Sequence, residues 1–300
     1  RTFKCTKDSK LDNELKKITT GNGVVETVTY KPLKNESCGY NGCNSVYYDS
    51  GNTENYPNTD IVLAPTLNVV HEITKQSSSV FKKQSFMYYG AVTNYEGLGF
   101  LGFRGITRTN WVDANNTNLI SSVSLNDISL RGANYLNYSA IGFYAPQSLP
   151  PTTGFISKSI NTYNVDITTG AFENPLQTNK VYKLKNTKTE SFDGMNGTSA
   201  VTTTNHDVYN NPLVSETVLK NGTTPEQTTT TTVSYVAPTT TGTYVLGRPE
   251  SKEVKVVLSA NSDESKSEEL YAYTNHLLTT IQKRSTNSGL TTDYLTEVND

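Results

Sequence analysis

A chain of 300 residues can form one large domain or two ordinary ones, and its 26 basic against 28 acidic residues leave a formal charge of −2. That balance excludes the electrostatic footprint expected for nucleic acid or for an anionic membrane surface, and no apolar run approaches the ~18 residues of a membrane-spanning helix. Apolar residues are only 34% of the chain, yet 19 Tyr, 9 Phe and 18% charged residues are not the composition of a disordered one; about 45 Thr, about 30 Asn and 20 Gly point instead to many half-buried strands joined by turns.

The opening Arg1-Thr2-Phe3-Lys4 carries no apolar leader, and both ends fall in polar periodic sequence. We therefore expect a fragment or processed product of a longer chain whose localisation signals lie outside it. Leu11, Leu15 and Ile18 stand at i, i+4 and i+7, a short helical pattern, but the segment reads slightly better as the approach to a strand. Next, Lys17–Thr20 and Val24–Tyr30 flank Gly21-Asn22-Gly23, a strong β-hairpin signal, with Pro32 expected to end the second strand. Residues 34 to 59 read as a long solvated loop. Within it, Cys38-Gly39-Tyr40-Asn41-Gly42-Cys43 can close a small disulfide loop or hold free thiols, and no His lies near enough in sequence to suggest a metal. Cys5 is left over. Asp49, Asn52, Glu54, Asn58 and Asp60 supply oxygen ligands, but their spacing does not match a hand-type calcium loop.

Ile61 to Thr74 alternates loosely and contains His71, which reads as a neutral, hydrogen-bonded strand histidine. Phe81 to Trp111 is the most aromatic segment, with glycines alternating among large side chains. That pattern fits strands onto which another backbone or ring packs closely, not a phosphate loop. Asp113-Ala114-Asn115-Asn116 is a turn, and Pro146, Pro150 and Pro151 mark the best boundary, dividing the chain into 1–150 and 151–300. Beyond it, Thr-rich strands alternate with turns at Asn210-Asn211-Pro212, Asn221-Gly222, Pro238 and Gly247-Arg248-Pro249. Thr228 to Thr232 reads as an edge strand in preference to a glycosylated stalk, because Val233, Tyr235 and Val236 continue the alternation.

Several of these segments line up with a known family. Ile18 through Leu33, with Tyr30-Lys31-Pro32-Leu33, resembles the "G-x-x-T-x-I-x-Y-K-P-L" strand of the B component of bacterial insecticidal toxin complexes, and Tyr56-Pro57 resembles its following "Y-P". Tyr89-Gly90 and Gly97-Leu98-Gly99-Phe100-Leu101-Gly102-Phe103 resemble its "Y-G" and "G-R-G-F-L-G-F", with Leu98 in place of the Arg. Further on, His206-Asp207 through Pro212-Leu213 resembles the "Y-D-x-x-G-N-P-L" of Rhs, or YD, repeats. Gly247-Arg248-Pro249 resembles "G-R-P", and Tyr271-Ala272-Tyr273 resembles "Y-x-Y-D", with Thr274 for the Asp. The resemblance implies an all-β fold of repeated antiparallel hairpins, a piece of a curved Rhs-type wall that encloses a C-terminal toxin domain. It implies as partners the rest of that shell, its cargo and a pore-forming A component, with no cofactor, no metal and no membrane insertion by this segment.

Two other classes remain. An extracellular adhesin or carbohydrate-binding module could stack sugars on exposed Tyr and on Trp111, although cross-strand packing is the simpler use of such rings. A hydrolase would need a carboxylate pair such as Glu72 and Glu96 around a cleft, or a nucleophile motif near His71, His206 or His276, and no such motif is present. The expectation is a non-catalytic structural segment.

Overall fold

The computed structural model describes residues 14–34, 45–51, 53–78, 80–165, 183–238, 246–287, 290–291 and 295–298. Cys5, Cys38 and Cys43, and with them the disulfide reading, lie outside these residues. The described chain is almost entirely antiparallel β-sheet, with a single 3-10 turn at Ile128–Leu130 and no α-helix. It divides into two compact units, Arg1–Ala133 with Ser139–Pro151, and Asn134–Tyr138 with Thr152–Asp300.

The first unit contains β1 (Lys17–Thr19), β2 (Val25–Lys34), β3 (Tyr47–Tyr48), β4 (Asn58–Ile61), β5 (Leu63–Gln76), β6 (Phe81–Asn94), β7 (Gly99–Thr109) and β8 (Ile120–Asp127), and ends in β9 (Ala133–Ile141), whose central residues 134–138 belong to the second unit. The β1–β2 hairpin closes through Gly23 at φ +82, a conformation glycine takes at no steric cost. Residues 17–19 are thus strand. β2 does not stop at Pro32. It pairs with β5 as far as Lys34, and the register shifts between Pro32 and Leu33, an irregularity that accommodates the missing N–H and delivers Leu33 fully into the core.

The long strand β6 uses one edge twice. Its first half pairs with β5, and its second half with β4 and, in parallel, with β3. Residues 45–51 and 53–61 are therefore not a plain solvated loop: Ser45, Val46 and Tyr47 are buried, and Leu33, Val46, Tyr47 and Ala91 form a core over which Tyr88, Phe103, Ile61 and Val69 close. The hydroxyl that lets Tyr47 occupy this core is satisfied, because it donates to the Ile61 carbonyl and accepts the Ala91 N–H at 3.1 Å. β8 shows the expected one-sided alternation, burying Ser121, Val123 and Leu125.

The second unit is a meander: β10 (Phe155–Val165), β11 (Leu184–Asp193), β12 (Thr198–His206), β13 (Pro212–Asn221), β14 (Thr224–Tyr235), β15 (Pro249–Leu258), β16 (Glu264–Thr274), β17 (Leu277–Asn287), β18 (Leu290–Thr291) and β19 (Leu295–Val298). Each strand from β11 to β16 pairs antiparallel with both of its sequence neighbours. Among the described residues of β10–β17 no residue is buried, so neither face of the meander is covered by a second layer. Thr228–Thr232 is consequently not an edge: β14 lies between β13 and β15. In a single layer both faces stay wet, so an interior strand can consist of Thr, whose branched Cβ suits the pleat.

Candidate functional site

The aromatic, glycine-rich segment builds the β6–β7 hairpin around the turn 95–98. Tyr89 pairs with Tyr48 on one side and Gly105 on the other. Gly97 and Gly99 hold positive φ at the turn, and Gly102 at φ +108 accompanies a register shift that leaves Leu101 unpaired. Phe103 packs on Tyr88 with centroids 4.7 Å apart and meets Phe100 edge-on at 5.4 Å, while Phe100 keeps half its surface exposed. Leu98 is at the exposed tip.

Gly90 has the most specific role. Its φ is +58, and a Cβ placed there would come within 2.6 Å of Cδ of Arg104, so the arginine lies directly across the glycine. From that position Arg104 Nη2 donates to Glu54 Oε1 at 2.5 Å, to Asp60 Oδ1 at 3.3 Å and to Thr53 Oγ1 at 3.2 Å. Asp60 also accepts the Ser50 hydroxyl and the N–H groups of Thr53 and Glu54. Burial alone would raise the Asp60 pKa, but these donors outweigh it and hold the carboxyl below its ordinary value. Of the oxygen-rich loop residues that invited comparison with calcium loops, Glu54 and Asp60 thus face a guanidinium, Asp49 accepts the Gly51 N–H, Asn58 accepts the Asn94 amide, and Asn52 lies outside the described residues. Among the described residues no cluster of three or more His, Cys, Asp or Glu side chains could hold a metal.

In the second unit most of the residues that resemble a YD repeat lie at one end of the sheet. Asp207 caps the turn after β12, where its Oδ1 accepts the N–H of Tyr209 and of Asn211 at 2.8 Å each. The Lys185 ammonium donates to the Asp207 carbonyl at 3.1 Å. His206 precedes it, and burial first, then Lys185, push its imidazole toward the neutral form. Gly247, at φ +71, sits close enough to Asn211 that a Cβ would meet Oδ1 at 3.0 Å. Arg248 places its guanidinium 5.3 Å from the Tyr273 ring centroid and lies 3.2 Å from His276 Nδ1. Two tyrosines then fasten strand starts: Tyr235 donates to the Pro212 carbonyl at 3.0 Å and Tyr273 to the Pro249 carbonyl at 2.9 Å. Pro has no N–H to tie its own strand entrance, and its carbonyl serves instead. Tyr271 points elsewhere, donating to Glu269, and its phenol pKa is pushed up to about 12 by burial and by that carboxylate.

The features suggesting other chemistry are dispersed. Glu96 sits at the β6–β7 turn, where it accepts the Tyr56 hydroxyl at 2.9 Å. Glu72 and His71 line a separate polar hollow of about 210 Å³ with Lys83 and Ser85. The face of Trp111 is occupied by the Lys75 ammonium, 4.6 Å from the ring centroid. A wider trough of about 670 Å³ lies over Phe192, Met195 and Leu219. Tyr47, whose hydroxyl bridges Ile61 and Ala91, and Arg104, which gathers Glu54 and Asp60, had no local sequence signal beyond the alternation around Phe103.

No family model and no curated protein matches this chain. Among solved structures it is similar to a chain of TcdB2-TccC3-Cdc42, at 11% identity and a TM-score of 0.54, and to a chain of TcdB2-TccC3, at 10% identity and the same TM-score. Each similarity covers 87% of this chain and 18% of the other, so this chain spans less than a fifth of the length of those it matches. The likeness is one of fold, and it takes in most of this all-β chain.

Proposed function

We propose that this chain is a non-catalytic structural segment of a secreted, toxin-complex B-like protein with Rhs/YD-type repeats, forming part of the wall of a hollow β-shell around a C-terminal toxin. Its partners are then the rest of that shell, the enclosed domain and a pore-forming A component. The observation that carries this reading is the β10–β17 meander. It is a single layer with both faces half exposed, as a wall requires, and its repeat residues act as fasteners between strands. The fold likeness to TcdB2-TccC3 chains over 87% of the sequence supports the same reading. The test is limited proteolysis of the longest natural chain that carries this sequence. Its C-terminal segment should survive protease levels that digest the same segment expressed alone, and deleting residues 155–287 should abolish that protection. Equal digestion in both contexts would refute the proposal.

A further inference from the structure

The two faces of the β10–β17 meander differ in chemistry. Register partners in an antiparallel sheet share a face, and successive residues alternate between faces. On one face Thr189, Thr202, Thr217 and Thr229 stand side by side on consecutive strands, flanked by Asn161 and continued by Val256 and Ser265. A second row runs through Thr204, Ser215, Thr231, Val254, Ser267 and Ser285. A third runs from Ser159 through Ser191, Ala200, Leu219 and Gln227 to Leu258. None of these side chains is charged. Charge returns only at the margins of the field, with Asp193 at one end and Lys252, Glu269 and Lys283 at the other.

The three rows interleaved with these point to the opposite face and carry the ions. Lys188–Glu190 at 3.0 Å, Lys255–Glu264 at 2.7 Å, Lys266–Glu253 at 3.2 Å and Arg284–Glu268 at 2.6 Å are all on that side. The central hydroxyls of this face bond to one another or to a neighbouring amide. Thr202 and Thr217 share a hydrogen bond of 2.9 Å, Thr204 and Ser215 one of 3.1 Å, Thr189 donates to Asn161 at 2.9 Å, and Gln227 donates to Thr229 at 3.1 Å.

We infer that the hydroxyl face is the one turned toward the enclosed polypeptide, which it confines without gripping, and that the ion-paired face meets bulk solvent. This rests on the shell reading above. A chain held beside a wall is at high effective concentration, so even weak attractions to it would accumulate. Ionic side chains would pair with opposite charges on the cargo, and a broad apolar face would bind its hydrophobic residues. Short hydroxyls already bonded to one another offer neither. On the outside the requirement reverses, since interspersed charges of both signs keep a broad sheet soluble.

The experiment places single cysteines in the longest natural chain, with its other cysteines changed to Ser. Thr202→Cys, Thr217→Cys and Thr229→Cys report one face, and Thr203→Cys, Glu216→Cys and Thr230→Cys the other. Each variant is treated with N-ethylmaleimide and with a polyethylene-glycol maleimide too bulky to enter a closed shell, and secondary structure is checked first by circular dichroism. Hydroxyl-face cysteines should react with the bulky reagent at least about tenfold more slowly than ion-face cysteines, as for sites reached only through opening, and the difference should vanish after unfolding. The reverse pattern overturns this inference and leaves the shell standing. Equal, fast modification of both faces overturns both, and equal protection of both overturns the assignment of an outer face.

Discussion

Replacing Arg104 with Met tests whether the buried cation organises the first unit. The substitution keeps an unbranched side chain across Gly90 but removes the charge that Glu54 and Asp60 face. The Asp60 side chain is only 2% exposed, so it would be left as a buried carboxylate without its ion partner. Breaking a fully buried pair by removing one partner costs about 3–5 kcal/mol. Arg104 and Glu54 each keep 22% of their side-chain surface, and Asp60 keeps its Ser50 and backbone donors, so the loss should be nearer about 2–4 kcal/mol. Urea unfolding followed by fluorescence of the single tryptophan, Trp111, reads this unit. The pH dependence supplies an independent sign. The native Asp60 pKa lies below its ordinary 3.8, so its contribution is present above that pH and is lost as pH falls through the lowered native value. Without Arg104 the lowering shrinks, and acid unfolding should begin at a higher pH. Combining Arg104→Met with Asp60→Asn should recover about 1–3 kcal/mol of coupling. A loss below about 0.5 kcal/mol, with an unmoved acid transition, would put the cluster on a par with an exposed ion pair and refute the reasoning.

Gly105→Ala places a Cβ 1.9 Å from the Pro146 carbonyl oxygen, and because that atom is backbone the strain should cost about 1–3 kcal/mol, measured by the same unfolding assay. Tyr273→Phe removes the hydroxyl that ties the Pro249 carbonyl, a loss of about 1 kcal/mol in the second unit, which calorimetry on the native chain would detect. Thr202→Val together with Thr217→Val deletes both partners of one bond and should change stability by less than about 0.5 kcal/mol, whereas either change alone leaves its partner short of a bond and should cost more.

Local order was well encoded in the sequence. Gly21-Asn22-Gly23 closes a hairpin, and Asp113 accepts the N–H groups of Asn115 and Thr117 as an Asx turn does. Lys-x-Glu strands alternate against Ser-x-Ser and Thr-x-Thr, so the two faces of the meander could in principle have been separated on paper. What local pattern could not convey was partnership at a distance. Pro32 looked like a terminator because nothing nearby shows that β5 would accommodate it through a register shift. Thr228–Thr232 looked like an edge because polarity usually means exposure, and a single-layer sheet breaks that link. Tyr47 looked like part of a solvated loop, since its burial depends on β6, some forty residues downstream. Arg104 and Asp60 are likewise separated by 44 positions, and neither motif nor period joins them.

Register also limits how the chain can change length. In β16, one residue added before Ser267 would turn every later side chain of that strand over, moving Ser267 to the ionic side and Glu268 to the hydroxyl side. Two added residues would leave both faces as they were. The register shifts at Asn205/His206, Ser234/Tyr235 and Ala272/Tyr273 mark places where the sheet already absorbs an odd residue, close to the tyrosine fasteners. A meander built this way can lengthen its strands in even steps anywhere, and in odd steps only at its bulges.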